Sequence, residues 1–355
     1  MIHCDHFDRV TAKYDEYWHC ENHDRPLLFL TAPAERQQPM PEFHGTVRER
    51  WLDTDFVLRS TRRRMENTFF AGEAYPTAFP NLGPDIFGAY FFGDLEFGND
   101  TSWAINHAQS LDELDLSRLD ENNFWWKKTV EMTRAMAEDA RGDYLVGITD
   151  LHTGMDGLVS MRGPEELCFD LYEDGEQVEA LAIELFHRFR DVYTKLSAIL
   201  REYQRGQSNW MSVYHPEGWY VTSCDFMGMI SEDMMKRFVL PELKLELDFL
   251  KHSIFHLDGV GALRHLDCLL ELPNLNGVQW VPGAGKPGAP HWLDVLRRIQ
   301  AAGKAIHIDV RAEDLPVMLE SLPPEGVLYN VHCASAEDTQ ALLKLAEDCR
   351  PKKIF

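Results

Sequence analysis

The chain has no apolar run approaching the about 18 residues needed to cross a bilayer, so a membrane-spanning role is not expected. Positive charge is scarce: 35 Lys and Arg stand against 58 Asp and Glu, a formal net charge of −23. Such a surface repels phosphate backbones and anionic lipid headgroups, which argues against nucleic-acid and membrane partners. A disulfide framework is also missing. The seven cysteines, Cys4, Cys20, Cys168, Cys224, Cys268, Cys333 and Cys349, are odd in number and scattered. In a 355-residue chain that pattern fits a reducing, cytoplasmic compartment. Met1-Ile2-His3-Cys4-Asp5 lacks the basic start and apolar run of a signal peptide.

Several motifs are absent too. No Gly-x-Gly-x-x-Gly joins a strand to a helix. Pro282-Gly283-Ala284-Gly285-Lys286-Pro287 has the glycines, but its prolines prevent the immediate helix a dinucleotide site needs, and it lacks the ending of a phosphate loop. No Gly-x-Ser-x-Gly elbow supports Ser-His-Asp catalysis. No tandem repeat or low-complexity tract is present.

What the chain does have is alternation. Short apolar segments at 27–31, 144–149, 210–214, 254–257, 277–281, 305–308 and 326–331 read as strands. Between most of them, helical spacing of apolar residues predicts helices over 178–204, 231–251, 262–271, 290–302, 312–321 and 335–347. Strand followed by helix at this spacing implies a parallel sheet. Seven strands are legible. An eighth, within 69–105 or near 221–226, would close a (β/α)8 TIM barrel in one domain. An open doubly wound sheet is the alternative. Residues 1–24 read as an N-terminal arm, helical over 10–18, and 36–143 as a long insertion or cap after the first strand. The aromatics of that insertion, from Phe69 to Trp103, read first as its own core and second as a pocket wall.

The strand ends carry the chemistry. Ile148-Thr149 leads to Asp150 and His152, and Val213-Tyr214 to His215. Phe255 leads to His256 and Asp258, Val278 to Gln279 and Trp280, Ile306 to His307, and Val331 to His332 and Cys333. A barrel gathers the carboxyl ends of its strands on one face, where active sites sit. His256 and Asp258, two residues apart on a strand, point the same way. With Cys333 they make a nitrogen, oxygen and sulfur set that suits zinc with an open position. The competing reading has Asp258 as a helix cap and Cys333 as a small buried hydrophobe. Gln279 and Trp280 read as a pocket wall with one amide to orient a ligand. The motifs His3-Cys4-Asp5-His6 and His19-Cys20-Glu21-Asn22-His23 have metal-ligand composition without zinc-finger spacing.

Phe255-His256-Leu257-Asp258-Gly259 resembles the His-x-Cys-Gly element of the uroporphyrinogen decarboxylase-like superfamily, closest to its zinc-dependent corrinoid:thiol methyltransferase branch. Cys224-Asp225, Met229-Ile230-Ser231-Glu232 and Phe238-Val239-Leu240-Pro241 resemble further runs of that family, as do 83–103 and 154–166. The likeness spans roughly 80–350 and implies a (β/α)8 barrel. Carried over, the zinc ligands fall on His256, on Asp258 where the family has cysteine, and on Cys333. Aspartate is a harder ligand than thiolate, which shifts the expected Lewis acidity and the choice of acceptor. Asp225 or Glu217 offers a further oxygen ligand. The decarboxylase's Arg-rich element is absent: after the first strand the chain reads Thr31-Ala32-Pro33-Ala34.

The resemblance therefore implies a metal-dependent methyltransferase acting on a small-molecule substrate. The methyl group would come from a cobalamin, either on a corrinoid protein or as a substrate. Asp150, His152, His215 and His307 would shape the pocket or move protons, and Gln279, Trp280 and Asp225 would bind substrate; the aromatic N-terminal arm adds the expectation of a homodimer. The alternative is a metal-free decarboxylase or lyase acting on a tetrapyrrole or other small carboxylate, with His256 and Asp258 as an acid/base pair. A third reading is a non-catalytic barrel that binds a corrinoid or other small ligand.

Overall fold

Runs such as Leu27-Leu28-Phe29-Leu30 and Ile254-Phe255 are apolar on both sides of the strand, as parallel strands covered on both faces require. In the computed structural model, which describes residues 7–349, they build the central sheet. Its strands are β1 (Leu27–Pro33), β2 (Thr68–Gly72), β7 (Tyr220–Ser223), β8 (Ser253–Asp258), β9 (Gly277–Val281), β10 (Ala305–Asp309) and β11 (Val327–His332). The order is β2-β1-β11-β10-β9-β8-β7. Only β2 runs antiparallel, against β1. Two small pairs stand apart: β3 (Thr77–Ala78) with β6 (Leu145–Val146), parallel, and the hairpin of β4 (Asp94–Phe97) and β5 (Ser102–Ile105).

The result is a mixed α/β fold with one large, mostly parallel sheet. Among the described residues the ladders join seven strands and do not display the closed eight-stranded ring expected from the sequence. Two strand expectations shift. The segment 210–214 is not a strand: only Gln207 and His215 pair there, in an isolated antiparallel bridge. The strand of that region is β7, in the neighbourhood left open for an eighth. The apolar run 144–149 forms a ladder only at Leu145–Val146.

The helices lie where periodicity placed them, with local departures. Gly175–Arg201 and Ala336–Asp348 match closely, and Ser335 caps the second by accepting from the Asp338 amide at 3.1 Å. The expected helix 231–251 begins at the Ser231 cap but passes through a π turn at Met235–Val239 before continuing as Leu240–Leu250. The insertion has more structure than its sequence disclosed, with helices Thr54–Glu66 and Phe124–Ala140 tied together by Arg62, which reaches Asp139 at 2.7 Å and Asp143 at 3.1 Å.

Two features fix the frame. Arg25, just before β1, makes a two-pronged ion pair with buried Glu73, just after β2 (2.6 and 2.8 Å). Glu73 also accepts from the Leu28 amide. The arm helix Phe7–Trp18 buries Val10, Tyr14, Tyr17 and Trp18. The Trp18 indole donates to the Tyr214 carbonyl, and Asn22 bonds both Pro324 and Gly326, the latter directly ahead of β11. The arm therefore seats against the amino ends of the strands. The motif at residues 3–6 lies outside the described residues. No helix among the described residues is long and apolar enough to cross a membrane.

Candidate functional site

Parallel register carries side chains of paired residues to the same face. His256 on β8 pairs with Gln279 on β9, which pairs with His307 on β10. These three polar side chains therefore share one face, while Leu257 and Trp280 share the other. The His256 Nδ1 lies 2.6 Å from the Gln279 Oε1. An amide oxygen only accepts, so this bond holds the proton on Nδ1 and leaves Nε2 with its lone pair for a ligand. The Trp210 ring stands perpendicular to His256, with centroids 5.0 Å apart. His256 is thus held from two sides.

Asp258, at the end of β8, and Asp225, just after β7, complete a triad with His256. One ligand atom from each lies within 4.8 Å of the others. Gly259 follows at φ +81°, a conformation glycine adopts without penalty, and turns the chain away from the cluster. A second triad adjoins the first through the same Asp225: His152, Asp156 and Asp225, also within 4.8 Å. His152 sits 3.2 Å from Asp150 through Nε2 and 3.6 Å from Asp156 through Nδ1. Asp156 accepts from the Asp225 and Phe226 amides at 2.8 and 3.0 Å, so it clamps the turn that presents Asp225.

The electrostatics follow from burial in an acidic setting. Desolvation opposes charge on His152, but Asp150 and Asp156 outweigh it and lift the imidazole to about 10. Burial pushes Asp156 up, and the nearby Asp225 adds to this more than His152 offsets it. Burial likewise raises Asp258, with His256 opposing and Asp225 reinforcing. Behind Asp156, Glu242 and Glu246 are fully enclosed. Burial and their acidic neighbours drive both carboxyls upward, which favours their protonated forms. A side chain at Gly154 would come within 2.6 Å of the Glu242 carboxyl, so only glycine (φ +54°) lets the helix Gly154–Arg162 approach this closely.

Among the residues singled out from sequence, Asp150, His152, Asp225, His256, Asp258 and Gln279 come together. His307 lies on the same face past Gln279. Burial lowers its imidazole to about 4, which keeps it neutral. Three expectations are corrected. Cys333 belongs to neither triad. It follows His332, whose side chain meets Thr31, and alternation turns Cys333 the other way. Its amide donates to the Thr31 carbonyl, and its thiol is buried, raised first by desolvation and then by Asp338 of the following helix. Trp280 faces away from the cluster: it packs on Trp292, with centroids 5.2 Å apart, on the face opposite Gln279. His215 lies at the amino end of the sheet. It stacks at 3.9 Å on His252, the residue before β8, and accepts from the Glu217 and Gly218 amides. Glu217 is therefore also remote from the cluster.

Sequence reading missed Asp156, Glu242 and Glu246. A signal existed for the glutamates. They fall at helical spacing on the same buried face as Leu243, Leu247 and Leu250, where carboxyls are costly without a role.

No protein-family model and no curated protein matches the sequence. Among solved structures, the fold is similar to a methyltransferase from Methanosarcina mazei, with TM-score 0.61 and 10% identity over 96% of this chain and 98% of that one.

Proposed function

We propose that the chain is a metal-dependent methyltransferase of the corrinoid-linked type, built on a (β/α)8 barrel frame. The observation that carries this reading is the convergence of Asp225, His256 and Asp258. The similar structure is a methyltransferase, which supports it. One imidazole and two carboxylates fit a divalent cation with open positions, and Asp225 takes the place first assigned to Cys333. When bound, the ion supplies a Lewis acid that makes an acceptor nucleophilic near neutral pH. The methyl group would be presented by a cobalamin, on a corrinoid protein or as a free substrate.

The chain's own residues prepare the rest. Gln279 keeps the His256 Nε2 available. The Asp225 and Phe226 amides, donating to Asp156, fix the turn that carries Asp225. His152, charged and paired with Asp150, offsets the negative charge of the cluster. The protonated Glu242 and Glu246 keep the wall behind Asp156 from adding further charge.

Elemental analysis tests this. The purified protein should carry about one divalent ion per chain, lost in His256→Ala and in Asp258→Ala. Cys333→Ala should retain it. A chain that binds no divalent ion after reconstitution, or that loses it with Cys333 rather than Asp258, would overturn the assignment. Transfer from methylcobalamin, read in the cobalt absorption bands, then tests the reaction class.

A further inference from the structure

Beside the His256 triad lies a cavity of about 340 Å³. Its floor is aromatic, with Phe29, Phe70, Tyr75 and Phe79. Trp210 belongs to its lining and is also the ring that stands against His256, so cavity and triad share a wall. The polar groups on the lining are unusual in one respect. Asn209 is 1% exposed, and its Nδ2 has no hydrogen-bond partner among the described residues, although its Oδ1 accepts from Met211. The Trp210 Nε1 and the Thr77 Oγ1 are likewise buried without partners. Orphaned buried donors are rare and costly unless something outside the chain satisfies them.

Arg64, from the helix Thr54–Glu66, completes the lining. In a chain of net charge −23 a guanidinium would readily find a carboxylate. Arg64 makes no ion pair among the described residues, and its guanidinium bonds only to the Thr61 hydroxyl, at 3.3 Å. It also lines a second cavity, of about 380 Å³, which shares Thr61, Phe79 and Asn81 with the first. The unmet groups are therefore an amide donor, an indole donor, a hydroxyl and a free cation, over flat apolar walls. Their complement is an anion with acceptor oxygens on a planar apolar body.

We infer that this cavity is the substrate subsite, and that its ligand is a small organic carboxylate with a flat apolar body, its carboxylate held by Arg64 and Asn209 and its body lying along Trp210 toward His256. Arg64 suits a carboxylate because its planar fork matches two oxygens at once. The inference rests on the proposed function only in taking the Asp225–His256–Asp258 triad as the reacting centre.

Calorimetric titration with benzoate, its neutral isostere benzamide, and phenyl phosphate tests it. Benzoate should bind the wild-type chain more tightly than either of the others. Its affinity should fall about tenfold or more in Arg64→Met and in Asn209→Asp, and recover in part in Arg64→Lys, while benzamide changes little between variants. Thermal melts check that each variant is folded. Benzoate and benzamide binding alike, equal benzoate affinity in all variants, or a preference for phenyl phosphate would each overturn the assignment. Metal analysis of the wild-type chain beside the titration separates the two readings. Arg64-dependent benzoate binding in a wild-type chain that takes up no divalent ion on reconstitution keeps the subsite and removes the methyltransferase. Metal bound at the triad with no Arg64-dependent binding does the reverse.

Discussion

At the scale of single residues, the site depends on how one imidazole is held. The bond that His256 Nδ1 donates to Gln279 decides which ring nitrogen faces the cluster. Gln279→Ala removes that constraint without touching a ligand. Affinity for the divalent ion should fall about 10- to 100-fold, with the fold intact by circular dichroism. Gln279→Glu, which keeps the acceptor, should retain tight binding. Equal affinity in the alanine variant would mean that Trp210 alone orients the ring. Strand parity explains which neighbours of the motif take part. Gln279 and Trp280 are adjacent in sequence, and only the first shares the face of His256. His332 and Cys333 divide in the same way, which is why a sulfur that suits zinc by type lies outside the cluster.

Among elements, the turn before β7 and the arm helix form a separate polar patch. His215 stacks on His252, Trp18 stands edge-on to both, and His19 acts on both electrostatically. Burial holds the His215 imidazole down at about 3, with His252 and His19 reinforcing. Glu217 partly offsets the same effect on His252, where Lys251 adds to it. The folded state therefore needs this imidazole neutral. An unfolded chain takes up a proton at about pH 6.5, where an ordinary histidine titrates, while the folded chain does not until about pH 3. Stability is complete above pH 6.5 and declines as pH falls toward 3. Urea unfolding between pH 7.5 and 4.5 should show that decline, and His215→Gln should make it shallower. Identical slopes would remove His215 from the account. The turn that places His215 here was hidden in sequence, because Trp210–Tyr214 has strand composition but runs into a bridge with Gln207.

For the whole molecule, the net charge and the metal reading meet. A chain at −23 raises the local concentration of cations, most strongly at low salt. An ion that binds only the folded state stabilises it by mass action, by about 2.7 kcal/mol when present at a hundredfold excess over its Kd. A chelator should therefore lower the melting temperature of the wild-type chain and leave that of His256→Ala unchanged. No chelator effect on the wild-type chain would oppose a bound ion. The arm and the Arg25–Glu73 pair close the opposite end of the molecule, so the shift should reflect the cluster and not a loosened base.

Read alone, the sequence determined the α/β class, most of the parallel strands and the helices between them, because apolar periodicity is a local property that burial imposes directly. It also determined that His256 and Asp258 face one way, since a strand alternates with period two. It placed Asp150 and His152 near a strand end, where side chains become polar, while Asp225 was singled out by the family resemblance. Only the tertiary structure decided which of those ends meet. Asp225 joins His256 and Asp258 because β7 and β8 are neighbours and Asp156 clamps the intervening turn. Cys333, Trp280 and His215 leave the site because face and end of the sheet depend on register and chain reversal, and neither is written in the spacing of residues along the chain.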